Sequence, residues 1–116
     1  MGINIDKYLI KNDYSIEKSL KSIVQSGSKC VIVTDNNKNL LGTLSDGDLR
    51  RAILNGKKLT NKIFNIFNKK PKILKEDQYD TKSAQKIFLQ FLVDIIPIVD
   101  KKNKVLKVIK FDDVFE

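Results

Sequence analysis

The chain has 116 residues, enough for one compact domain or for two small repeats sharing a core. Apolar residues are 41% and charged residues 31%, which argues against disorder, and no apolar run approaches the ~18 to 20 residues needed to span a bilayer. Net charge is +8, but its lysines are spread along the chain without an aromatic or arginine-rich patch, so a solvated surface reads better than a nucleic-acid footprint.

One cysteine and no histidine leave the usual zinc sites, the Ser-His and Cys-His nucleophile systems and histidine acid–base chemistry without their residues. Catalysis by this segment alone is not expected. Residues 1–7 lack the charged-then-apolar pattern of a secretory leader, and Asp6 stands where a myristoylation signal has Ser or Thr. A cytoplasmic location without membrane attachment is the expectation.

Ile5, Tyr8, Leu9 and Ile10 form an apolar lead-in, read as a short strand or extended arm. Ser15 is a candidate N-cap for a helix whose apolar residues Ile16, Leu20, Ile23 and Val24 share one face, and Gly27 is its stop. The β-branched run 30–34 predicts a strand, with Cys30 as a small core residue. A polar turn at 35–39, a second strand at 40–44 and a helix over 46–54 follow. The stretch 57–70 carries the apolar cluster Ile63, Phe64, Ile66 and Phe67 and reads as a short helix packed between two halves.

The pattern then repeats. An extended piece at 72–74 precedes a helix over 81–92, with Ala84, Ile87, Phe88 and Phe91 on one side. A strand at 95–99 contains Pro97, which suggests an edge position or a strand whose N–H is unused there. A turn, a strand over 105–109 and a helix start at 111–115 complete the copy. Asp35 matches Asp100, and Asp48 matches Asp113, at a spacing of 65; the first helices match at 64, with Ile23 over Ile87, implying one residue inserted before the second hairpin. Each copy reads β-α-β-β-α and is too small to bury its own sheet face, so the expected fold is α/β (α+β), two such units packed with pseudo-twofold symmetry, 1–58 and 59–116.

The stretch Gly42-Thr43-Leu44-Ser45-Asp46-Gly47-Asp48 ends a strand and opens a helix. It resembles the signature of the CBS domain, Gly–apolar–x–Thr/Ser–x–x–Asp, with Thr43 in place of the apolar residue. Ile96-Pro97-Ile98-Val99-Asp100 resembles that family's second mark. Two tandem copies resemble the pair called a Bateman module. The run Asp46-Gly47-Asp48-Leu49-Arg50-Arg51 with Gly56 closing the helix is similar to CBS pairs fused to sugar-phosphate enzymes, sugar-nucleotide nucleotidyltransferases or arabinose-5-phosphate isomerases, of which the first, with the pair at the N-terminus, fits better. The resemblance implies a regulatory module that binds an adenine nucleotide or related phosphate ligand, such as AMP, ADP, ATP or S-adenosylmethionine. It also implies a homodimer and a fused or C-terminal catalytic domain, the chain itself being an N-terminal piece of a longer enzyme.

The ligand residues carried over are Gly42, Thr43, Ser45, Asp46, Asp48, Arg51, Ile96, Pro97 and Asp113. No metal ligand is expected. Ser45 and Asp48 also have the spacing of a capping box, so cap and ligand contact stand side by side. Arg50 and Arg51 in the first turns oppose the helix dipole, which raises the question of an anionic partner. In the second copy Lys107 stands for Gly42 and Lys110 for Ser45, so one functional cleft per chain is expected. The runner-up is a ligand-free dimerisation module using the 63–67 cluster and Phe115.

Overall fold

The computed structural model describes residues 5–115; the expectations that fall on residues 1–4 and on Glu116, those for a leader and for the chain end among them, lie outside these. A 3-10 turn, Ile5–Tyr8, leads into β1 (Leu9–Lys11), followed by α1 (Ile16–Ser26), β2 (Cys30–Thr34), β3 (Leu40–Ser45) and α2 (Asp46–Leu54). The second half repeats the order with β4 (Leu74–Lys75), α3 (Thr81–Phe91), β5 (Ile95–Val99), β6 (Val105–Lys110) and α4 (Phe111–Val114). The fold is the α+β duplication that the sequence predicts.

Both long first helices are closed by their own polar residues. Ser15 Oγ accepts from Lys18 N at 3.1 Å to start α1, and Gly27 ends it at φ +73°. Asp80 accepts from Ser83 N at 2.7 Å to start α3, and this bond holds its carboxyl below the ordinary range. Val24, expected on the buried face, is 79% exposed; the buried stripe is Ile16, Ser19, Ile23 and Ser26. The caps match at a spacing of 65, Ser15 over Asp80. However, Ile10 pairs with Val33 and Leu74 with Ile98, a spacing of 64. The extra residue therefore sits between β4 and α3 rather than between α3 and the second hairpin, and Ile23 overlies Phe88 rather than Ile87.

The strands form two three-stranded sheets, β1-β2-β3 and β4-β5-β6, each with one parallel and one antiparallel pair. Central strands β2 and β5 are buried at all five residues because both faces are covered, which explains their unbroken apolar runs. Pro97 is thus in a central strand, not at an edge. Strand β4 pairs only with Ile98 and Val99, so its ladder ends before the residue that lacks an N–H.

The layers run helix, sheet, sheet, helix. Val31, Val33 and Leu44 pack outward on Ile16, Ile23 and Leu49, while Ile96, Ile98 and Ile109 pack on Ala84, Phe88 and Val114. Between the sheets Tyr8, Cys30, Ile32 and Leu40 meet Ile95, Val99, Val105 and Val108 in one shared core. The two hairpin turns join as well, Leu40 N donating to Asn103 O at 2.9 Å and Val105 N to Lys38 O at 3.0 Å. Neither unit could cover this face alone.

The expected helix over 57–70 is absent; the segment is a series of turns. Asn61 and Asn68 take backbone N–H groups of Lys58 and Lys70 on their side chains, at 2.7 and 3.0 Å, in competition with a helical ladder. Ile63 and Phe67 are buried in the first unit's core and so are not an association surface, whereas Phe64 is exposed.

Candidate functional site

The junction of β3 and α2 is built by local chemistry. Ser45 Oγ accepts from Asp48 N and Ser45 N donates to Asp48 Oδ2, each at 3.0 Å, a complete capping box. Asp48 Oδ1 also accepts from Arg51 at 2.7 Å, and Asp46 from Arg50 at 2.7 Å. The arginine pair is thus already met by acids of its own first turn. A Cβ on Gly47 would lie 3.3 Å from Arg51 Nη1, so the glycine leaves room for Arg51 to fold back on Asp48.

Beside this junction a cavity of about 440 Å³ opens between the two units, within the usual size of small-ligand sites. Thr43, Ser45, Asp48 and Cys30 line it from the first unit, and Phe91, Leu92, Val93, Asp94 and Ile95 from the second. The connection contributes Asn68, Lys70, Pro71 and Lys72. The first side is mainly polar, and the second is apolar apart from Asp94. Lys72 Nζ lies 3.9 Å from the centroid of the Phe91 ring, a cation–π contact. Burial, with the charges of Asp94 and Asp48 adding to it, pushes the Cys30 thiol up to about 12. It is a protonated wall residue and not a nucleophile. No group of three metal-ligating side chains occurs among the described residues.

Of the residues singled out from sequence, Thr43, Ser45 and Asp48 line the cavity together. Gly42 does not line it: its bare Cα accommodates Phe67 and the Asn68 carbonyl, where Thr43 and Asn68 exchange backbone hydrogen bonds of 3.0 and 2.8 Å. Asp46 and Arg51 stand outside, in exposed ion pairs. Ile96 and Pro97 are buried in β5. Asp113 accepts from Lys110 N at 2.7 Å at the start of α4, the copy of this junction in the second unit. There Lys110, in the place of Ser45, carries its ammonium 5.9 Å from the ring centroid of the buried Tyr8.

Lys70, Lys72 and the 91–94 corner escaped the sequence reading. The signal was present: Ser26-Gly27-Ser28-Lys29 in the first copy becomes Phe91-Leu92-Val93-Asp94 in the second, a polar turn replaced by an apolar one.

Residues 6–55 match the family model described as CBS domain. An uncharacterised protein of Helicobacter pylori (strain J99) is 34% identical over 104 residues, 90% of this chain and 30% of its own length. The inosine-5'-monophosphate dehydrogenase of Aquifex aeolicus is 24% identical over 97% of this chain and 23% of its own length. The chain thus spans about a third or less of the curated relatives it matches. Among solved structures, CBSX2 in complex with AMP superposes with a TM-score of 0.79 at 21% identity, covering 91% of this chain and 82% of that one. The cytosolic domain of the Mg2+ channel MgtE in complex with ATP gives 0.76 at 18%, covering 93% and 44%. A CBS domain pair/ACT domain protein of Thermotoga maritima gives 0.76 at 17%, covering 97% and 93%. The family match covers residues 6–55, the first unit, and the superposed structures share the fold of both units.

Proposed function

From the premise of a CBS domain, we propose that the chain is a regulatory pair of CBS repeats, 1–58 and 59–116, that binds an adenine nucleotide or related phosphate ligand and modulates a fused catalytic domain. The observation that carries this is the cavity between the units, where Ser45 and Asp48 sit on one side and Lys70 and Lys72 on another. A carboxylate such as Asp48 accepts from the paired hydroxyls of a ribose, and ammonium groups neutralise phosphate. Thr43, Ser45 and Asp48 make the contacts in this reading. Gly42, Ile96 and Pro97 lie behind the wall, Arg51 holds Asp48 from outside, Asp46 pairs with Arg50 away from the cavity, and Asp113 belongs to the second, altered junction. The AMP and ATP complexes of two structural neighbours support the ligand class.

Because the cavity draws on both units, a ligand that fits it favours one packing of them over others. Coupling of ~1 to 3 kcal/mol is typical of such control. The segment itself is read as non-catalytic and cytoplasmic. Its catalytic partner is, by the resemblance at 46–56, a sugar-nucleotide nucleotidyltransferase, and the dehydrogenase match supports the wider arrangement of such a segment within a larger enzyme. A second reading, a ligand-free homodimerisation module, is favoured by Val24 and Leu54, 79% and 78% exposed on α1 and α2.

Calorimetric titration with AMP, ADP, ATP and S-adenosylmethionine tests the first reading. Binding of at least one, lost in Asp48→Asn with helicity unchanged by circular dichroism, is the expected result. No heat with any of them at millimolar concentration sinks it, and a concentration-dependent dimer by sedimentation would then support the second.

A further inference from the structure

The two units build the same backbone corner, after their first helix, from opposite materials. In the first, Gly27 takes the left-handed conformation at φ +73°, with nothing within 4 Å of where a Cβ would lie. Buried Ser26 donates to Ile23 O at 2.7 Å and accepts from Ser28 N at 3.0 Å, so the corner is held by its own polar groups. In the second, Leu92 takes that conformation at φ +53°, ψ +39°. A residue with a Cβ is strained there; Leu92 N donates to Phe88 O at 3.1 Å to close α3, but the apolar side chain adds no hydrogen bond of the kind Ser26 makes in the first unit. Nor does packing offset it, since Leu92 is 84% exposed. Backbone strain of this kind concentrates at ligand sites, and Leu92 lines the cavity between the units.

We propose that Leu92 is a specificity-determining residue, held in the left-handed region so that its side chain forms the apolar wall of the cleft against the base of a bound nucleotide. This rests on the nucleotide reading of the cleft. Phe91, Val93 and Pro71 continue the wall, while Ser45, Asp48 and Lys70 face the sugar and phosphate. The first unit, with Gly27 and two serines at this corner, offers no such surface for a base. A base is the part of the ligand with large apolar faces, so it is the part such a wall selects.

The test titrates the chain, Leu92→Gly and Leu92→Asn with AMP and with ribose 5-phosphate, which has no base, and follows urea unfolding of each. Both replacements tolerate the left-handed region, and Asn does so without glycine's extra freedom in the unfolded chain. The expected result is a higher urea midpoint for Leu92→Asn, AMP affinity weakened ~5- to 10-fold in both variants, and ribose 5-phosphate affinity unchanged within ~2-fold, the size expected for losing part of one buried apolar contact. AMP bound equally by all three proteins overturns the role of Leu92 and leaves the nucleotide reading standing. Equal loss of AMP and ribose 5-phosphate also overturns it, by showing general damage to the cleft. If the parent chain binds neither ligand, both readings fall.

Discussion

At the first strand-to-helix junction Gly42 lies beneath Phe67 and Asn68, and Ser45 and Asp48 cap α2 reciprocally. At the second, Lys107 is exposed, and Lys110 has a side chain that only donates, so Asp113 supplies one half of the cap alone. Strand, turn and helix form in both. The backbone path therefore does not need the signature residues; they mark where another part of the chain comes close to that path or where it borders the cleft. Gly42 answers to the chain itself, and Ser45 and Asp48 to the helix and to the cleft.

Three experiments sharpen this contrast. Gly42→Ala should have the largest effect, because its methyl group would fall on the Asn68 carbonyl and the Phe67 ring. A loss of ~3 kcal/mol in urea unfolding is expected, while Lys107→Ala should change stability by less than ~0.5 kcal/mol; equal effects would dissolve the distinction. Ser45→Ala should cost ~1 kcal/mol through the lost cap, and Lys110→Ala much less, since its side chain accepts nothing from α4.

The smallest effect concerns Cys30, whose counterpart is Ile95. At pH 8 its thiol should react with a disulfide reagent far more slowly than a free thiol, being protonated and buried. The sign of its pH dependence follows from a pKa raised from 9.0 to about 12. Between these values the unfolded chain has released the proton and the folded chain has not, so stability falls as pH rises. Cys30→Ala should unfold with a shallower decline over that range; an identical decline would place the thiol in contact with water.

Much of the architecture was legible. Periodicity located α1 and α3, turn composition located the first hairpin, and the match of Asp35 to Asp100 aligned the second with it. Each of these aspartates accepts two turn N–H groups on one oxygen, and this holds the Asp35 carboxyl below the ordinary range, the bonds to Asn39 being the main cause. The capping box was equally legible, since Ser45 and Asp48 are three residues apart and interact across one helical turn. The 57–70 segment was not. Its apolar residues have helical spacing, but Ile63 and Phe67 are placed by the first unit's core and by pairing of Asn68 with Thr43.

The sequence by itself determined the duplicated order of elements, the shared core and the polar edge of the cleft, because each rests on interactions within a few residues or on an unbroken apolar strand. Only the tertiary structure decided that Lys70 and Lys72 meet Ser45 and Asp48, and that Leu92 stands across from them. Those groups come from separate segments, and local spacing carries no information about a cavity whose walls meet only when two sheets close on one core.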